Sequence, residues 1–144
     1  MTTAAELRAL AEEVEGLSGP DREMDVRIEV ALGAARYGSS VAFPHVVECD
    51  DGTGWRLVRD ARPYTASIDA AASLMPEGWC TASTTLEQED RTMALHRRGW
   101  AWMAEAWRPG VNDWVECAEA ATEPLARCAA ALRARAALLD EVAA

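Results

Sequence analysis

A chain of 144 residues, half of them hydrophobic, is too apolar for disorder and too short for two ordinary cores, so one domain spanning 1–144 is expected. Against 24 Asp and Glu stand 14 basic residues, every one an arginine, and the net charge of −10 argues against direct affinity for DNA, RNA or anionic membranes. The N-terminal residues lack the basic, apolar and cleavage regions of a signal peptide, and no apolar run approaches the ~20 residues of a membrane span, which points to the cytoplasm of a bacterial host cell.

The first helix is marked by Thr3 and Glu6, a T-x-x-E capping box, followed by Leu7, Leu10, Val14 and Leu17 at helical spacing. Ser18-Gly19-Pro20 ends it. A second helix starts at once, with Ser18 or Gly19 as cap, Pro20 in the first turn, and Asp21 and Glu23 at the positive end of the dipole. Met24, Ile28, Ala31 and Leu32 form its apolar face, Gly33 stops it, and the pair reads as an antiparallel helical hairpin.

Val41–Cys49 and Trp55–Arg59 read as a β-hairpin around the D-G turn at 50–54, which Pro44 and the mixed polarity make at best an edge feature or an ordered loop. Thr65 caps a short helix carrying Ile68, Ala71, Ala72 and Met75, stopped by Pro76 and Gly78. Trp79–Thr85 is a Thr-rich strand, 86–91 an acidic connection, and Thr92–Arg97 with Gly99–Trp107 one long or two broken strands. After the turn at Arg108-Pro109-Gly110, Asp113–Glu119 is a further strand. Thr122 caps a final helix with Leu125, Cys128, Leu132, Ala136 and Leu139 as its core stripe. Grouped strands with flanking helices give an α+β fold: an antiparallel sheet of about three strands, an N-terminal helical hairpin and a C-terminal helix.

Candidate chemistry is sparse. His45 and His96 have no metal-ligand spacing and no nucleophile elbow beside them, so neither a metal, a cofactor nor a catalytic residue is expected. Gly52-Thr53-Gly54 is followed by no G-K-[ST] and is not a phosphate loop. Trp100 and Trp102 share one face of a strand, a stacking platform in form, but sheet packing explains them better in so acidic a chain. The four cysteines lack C-x-x-C spacing and are expected as free thiols. Cys117 and Cys128 read as buried hydrophobes, whereas Cys49 and Cys80 are candidates for an intermolecular disulfide in oxidising buffer. The carboxylates remain. Glu12, Glu13 and Glu15 fall on one side of the first helix, Asp21, Asp25 and Glu29 align on the second, and Asp50, Asp51, Glu87, Glu89 and Asp90 occupy loops. Meeting on one face, they would form an anionic strip for a protein groove built to hold nucleic acid.

The segments Pro63–Ala71, Leu74–Trp79 and Ala121–Leu132, with Leu17–Glu23 at the start, resemble the small phage and prophage proteins of the ABA-sandwich type. The resemblance implies an antiparallel sheet with helices packed on it, and it supplies no catalytic residues. Some acidic phage-borne proteins of this build are anti-CRISPR inhibitors that bind an effector complex where target DNA would go. The expectation is therefore a monomer or weak dimer that inhibits a host defence effector complex by direct binding, as an acidic DNA mimic. A virion or morphogenesis accessory with no defence role is the alternative, and an enzyme on a small metabolite fits the residues least well.

Overall fold

The structure is a computed structural model that describes residues 2–33, 36–37, 45–50, 56–85, 102–110 and 115–144. The fold is α+β, with helices around antiparallel sheets.

Helix α1, Ala4–Glu15, opens on the expected box: Thr3 Oγ1 accepts from Glu6 N–H at 3.2 Å and Glu6 Oε2 accepts from Thr3 N–H at 2.7 Å. It stops at Gly16, before Ser18-Gly19-Pro20. Helix α2, Arg22–Ala31, is capped by Asp21, whose carboxylate accepts from Met24 N–H at 2.9 Å. The cap thus lies beyond Ser18 and Gly19, and Pro20 precedes the helix instead of opening it; aspartate is among the strongest N-cap residues and wins the position. Gly33 sits just past the end with φ +76°, the left-handed conformation that favours glycine there.

The hairpin expected near residues 41–59 exists. Strand β2, Val46–Asp50, pairs antiparallel with β3, Arg56–Asp60, from Val46↔Asp60 to Asp50↔Arg56, and the two-residue β1, Arg36–Tyr37, adds to β2. It forms a three-stranded sheet of its own, in the order β1-β2-β3, where the sequence pointed to a single main sheet. Val26 of α2 packs on it with Val47 and Ala61. The turn residues 51–54 lie outside the described residues.

Helix α3, Ile68–Ser73, is capped by Ser67, not by Thr65. Thr65 is buried and bonded elsewhere. The second sheet comprises β4, Cys80–Thr85, β5, Trp102–Trp107, and β6, Val115–Ala120, antiparallel in that order. The connection at 86–91, the strand at Thr92–Arg97, and Trp100 lie outside the described residues.

Helix α4, Glu123–Ala143, is capped by Thr122 with Pro124 in its first turn. It lies between the second sheet on one side and α1 and α3 on the other. Its buried face is therefore much wider than one stripe: Ala126, Ala129, Ala130, Ala131, Ala134, Ala136 and Ala137 join Leu125, Cys128 and Leu132, while Leu139 is exposed. The ion pairs Arg8–Asp140 and Glu15–Arg133 set α1 antiparallel to α4, so α1 finds its main partner in α4 and not in α2. Among the described residues no helix is long and apolar enough to cross a membrane.

Candidate interaction surface

The carboxylates of α1 and α2 do not form the anionic strip. Asp25 is 0% exposed, accepting from Thr65 N–H at 2.8 Å, Thr65 Oγ1 at 2.9 Å and Arg22 Nη1 at 2.6 Å. Glu29, 2% exposed, accepts from Arg62 N–H and Arg59 Nη1, both at 2.9 Å, and from Tyr64 Oη at 3.3 Å; its Oε2 lies 2.7 Å from Arg59 Nη2. Burial pushes the Glu29 carboxyl up, but the Arg59 and Arg62 donors outweigh it and hold the group below its ordinary range. The 3.6-residue period placed Asp25 and Glu29 on one face correctly; that face is the one turned inward. Arg62 and Thr65 bring their backbone N–H groups to it, and an aspartate or glutamate is the acceptor that satisfies them.

Glu15 is likewise buried, 7% exposed, against the expectation of a solvated side. It pairs with Arg133, accepts from Glu119 N–H at 3.1 Å, and Arg133 Nη1 donates to the Cys117 carbonyl at 3.1 Å. Glu13 is exposed but paired with Arg27, Glu12 is exposed, and Asp21 is occupied as a cap. Asp50 ends β2 instead of lying in a loop; Asp51, Glu87, Glu89 and Asp90 lie outside the described residues. Arg108–Glu141 and Arg127–Glu123 complete a pattern in which cations are held by the protein's own acids. Glu23, Asp60, Asp69 and Glu77 are exposed like Glu12.

The Glu15–Arg133 pair also fixes the orientation of the second sheet. Because Cys117 O and Glu119 N–H point outward from β6, residues 116, 118 and 120 turn their backbone groups to β5. In β5 residues 103, 105 and 107 then bond β4 through residues 84, 82 and 80. The N–H and C=O groups of Thr81, Ser83 and Thr85 therefore face away, along the edge of β4 that no strand among the described residues pairs.

One face of this sheet, through Ala104, Ala106, Ala118 and Ala120, packs on the core with α4. The other carries three cross-strand rows: Cys80–Trp107–Val115, Ala82–Glu105–Cys117 and Thr84–Met103–Glu119. Val115 is 49% exposed, and Cys80 and Cys117 are exposed. Cys117 is thus not the buried hydrophobe expected from its neighbours; burial, then Glu105, Glu116 and Glu119, push its thiol up. Glu105 was missed because its sequence neighbours are apolar, and its strand register is the signal that places it outward.

Cys128 is buried in the core as expected, its Sγ donating to the Tyr64 carbonyl at 3.0 Å, and burial pushes the thiol far up. Cys49 is half-buried on β2 against the Val26–Val47–Ala61 cluster, and Cys80 is the exposed member of the proposed disulfide pair. Trp102 packs partly buried against the main core; Trp79 is buried under Arg108, whose guanidinium lies 5.6 Å from its ring centroid. Trp100 and His96 lie outside the described residues. His45 serves through its backbone, its carbonyl accepting from Ala61 N–H at 3.0 Å. Among the described residues no group of His, Cys, Asp and Glu is placed to hold a metal. Two adjoining grooves of about 450 Å³ each run between α1, α2 and the end of α4, and neither is lined by a histidine or cysteine. No family model, curated protein or solved structure matches the chain.

Proposed function

We propose that this chain is a phage- or prophage-encoded accessory protein that inhibits a host defence complex, a CRISPR effector, by binding it directly where nucleic acid would lie. One observation supports the reading. Arg8, Arg22, Arg27, Arg59, Arg127 and Arg133 are tied to internal or adjacent carboxylates, while Glu12, Glu23, Asp60, Asp69 and Glu77 face solvent. The excess acid is displayed outward, and a basic groove shaped for phosphates attracts such a surface and speeds the encounter. Glu23, Asp60 and Asp69 project from segments that the Asp21, Asp25 and Thr65 bonds tie together, which gives the charges a common base.

The test is target-DNA binding by a guide-loaded CRISPR effector in the presence of the purified chain. Inhibition is expected, weakening with salt, and the triple reversal of Glu23, Asp60 and Asp69 to arginine reduces it about ten-fold or more. An effector that binds its target equally well at saturating protein rules the proposal out.

A further inference from the structure

The two edges of the second sheet are treated differently. On β6 the Glu15 carboxylate takes the Glu119 N–H and the Arg133 guanidinium takes the Cys117 C=O, so an ion pair stands where one residue of a neighbouring strand would stand. That closes the edge against pairing. On β4 the outward N–H groups of Thr81, Ser83 and Thr85 and the C=O groups of Thr81 and Ser83 have no such cover among the described residues; only the Thr85 C=O is met, by Thr84 Oγ1 at 3.3 Å. The strand Cys-Thr-Ala-Ser-Thr-Thr contains no charge, no proline and no bulge, the devices that usually blunt an edge.

We infer that the β4 edge is a docking site for an extended, basic segment of a partner protein, which adds as a fourth strand with an arginine or lysine laid over Ala82 onto Glu105. The inference rests on the proposed function only in assigning the segment to a basic partner. Neighbouring strands run about 4.8 Å apart, so a residue opposite Ala82 starts about 9.6 Å from the Glu105 backbone. Ala82 offers only a methyl group in between, and the combined reach of an arginine and a glutamate spans that gap. Glu105 accepts no hydrogen bond from the described residues through its carboxylate. Two residues either side, the added strand passes over Cys80 beside Trp107 and Thr84 beside Met103, which favours apolar side chains there. A second copy of the chain fits less well, because it would bring a further charge of −10 and another Glu105 to the same face.

Two seven-residue peptides test this on the full-length, ¹⁵N-labelled chain. Both have threonine at odd positions; one has valine, arginine and valine at even positions, the other glutamate in place of the arginine. The arginine peptide is expected to slow amide exchange at Thr81, Ser83 and Thr85 and to bind about ten-fold tighter than the glutamate peptide. Glu105→Gln removes that preference. Ser83→Pro deletes one outward N–H without touching the β4–β5 ladder and also removes the Ser83 Oγ bond to Glu123, which Ser83→Ala removes alone; the proline variant loses binding and the alanine variant keeps it, both with the circular dichroism spectrum unchanged. No protection at these amides under millimolar peptide, equal affinity for the two peptides, or wild-type binding by Ser83→Pro overturns the inference. So does a peptide-free chain that sediments as a dimer with these amides already protected, since the second copy then holds the edge. Effector inhibition that survives Ser83→Pro overturns the edge as the docking surface and leaves the proposed function standing; peptide binding without effector inhibition does the reverse.

Discussion

At the scale of single residues, the acids that matter most to this fold are the ones taken out of solvent. Asp25 accepts three hydrogen bonds with no exposure, so Asp25→Ala strands Thr65 and Arg22 and is expected to cost about 3–5 kcal/mol, measured by urea unfolding. Glu29 gives a pH signature. Its folded pKa lies below the ordinary 4.5, so at mildly acidic pH the unfolded chain binds more protons than the native one. The stabilisation it contributes is full above the unfolded value and is lost as pH falls through the folded one. Glu29→Gln should therefore flatten the fall in stability as pH drops below the ordinary 4.5, and an unchanged slope would assign that fall to other groups. The thiols separate by environment in the same way. In oxidising buffer the double variant Cys80→Ser, Cys117→Ser is expected to abolish most disulfide-linked dimer on a non-reducing gel, whereas Cys49→Ser leaves it, because Cys80 and Cys117 are exposed and Cys49 is half-buried.

At the scale of elements, the caps were readable wherever a single residue type competes well for the position. Thr3 with Glu6 and Thr122 with Pro124 are local patterns that need nothing distant. Thr65 and Ser67 are two residues apart and equally suited to cap α3; the choice was made by Asp25, forty residues upstream, which claims Thr65. The same distance effect hid the burial of Glu15, Asp25 and Glu29, since amphipathic spacing says which residues share a face but not that arginines and orphan backbone donors wait on the other side. The β6 edge is the element with the sharpest consequence. Arg133→Ala leaves the Glu15 carboxylate without its counter-ion and is expected to cost about 3 kcal/mol or more. The double variant Glu15→Leu, Arg133→Met restores packing yet leaves Cys117 O and Glu119 N–H uncovered. It should recover stability while gaining concentration-dependent association by light scattering, and a variant as monodisperse as the parent would show that the ion pair is not what closes the edge.

At the scale of the whole molecule, α+β architecture followed from the grouping of strands and the capped helices, and the extra sheet from a hairpin that mixed polarity and Pro44 made look marginal. The acidic surface could not be laid out in advance, because net charge is a sum and says nothing of which carboxylates are consumed internally. The exposed remainder predicts a molecule whose associations weaken steeply with ionic strength. Binding to any basic protein partner should fall markedly between low salt and about 0.5 M, where the screening length drops to roughly 4 Å, and a salt-independent affinity would point to an apolar interface instead.

The alanine-lined faces of α4 make its tolerance to mutation one-sided. Most cores fail when a large side chain is trimmed; apart from Leu125, Cys128 and Leu132, the buried positions of this helix, pressed between a sheet and α1, have almost nothing to trim and no room to grow. A single base change in an alanine codon yields valine, threonine, proline, aspartate or glutamate about twice as often as the small glycine or serine. In a library of random variants the deepest depletion should therefore run along Ala126, Ala129, Ala130, Ala134 and Ala137. The leucines beside them, which exchange readily for methionine or valine, should be the more forgiving positions.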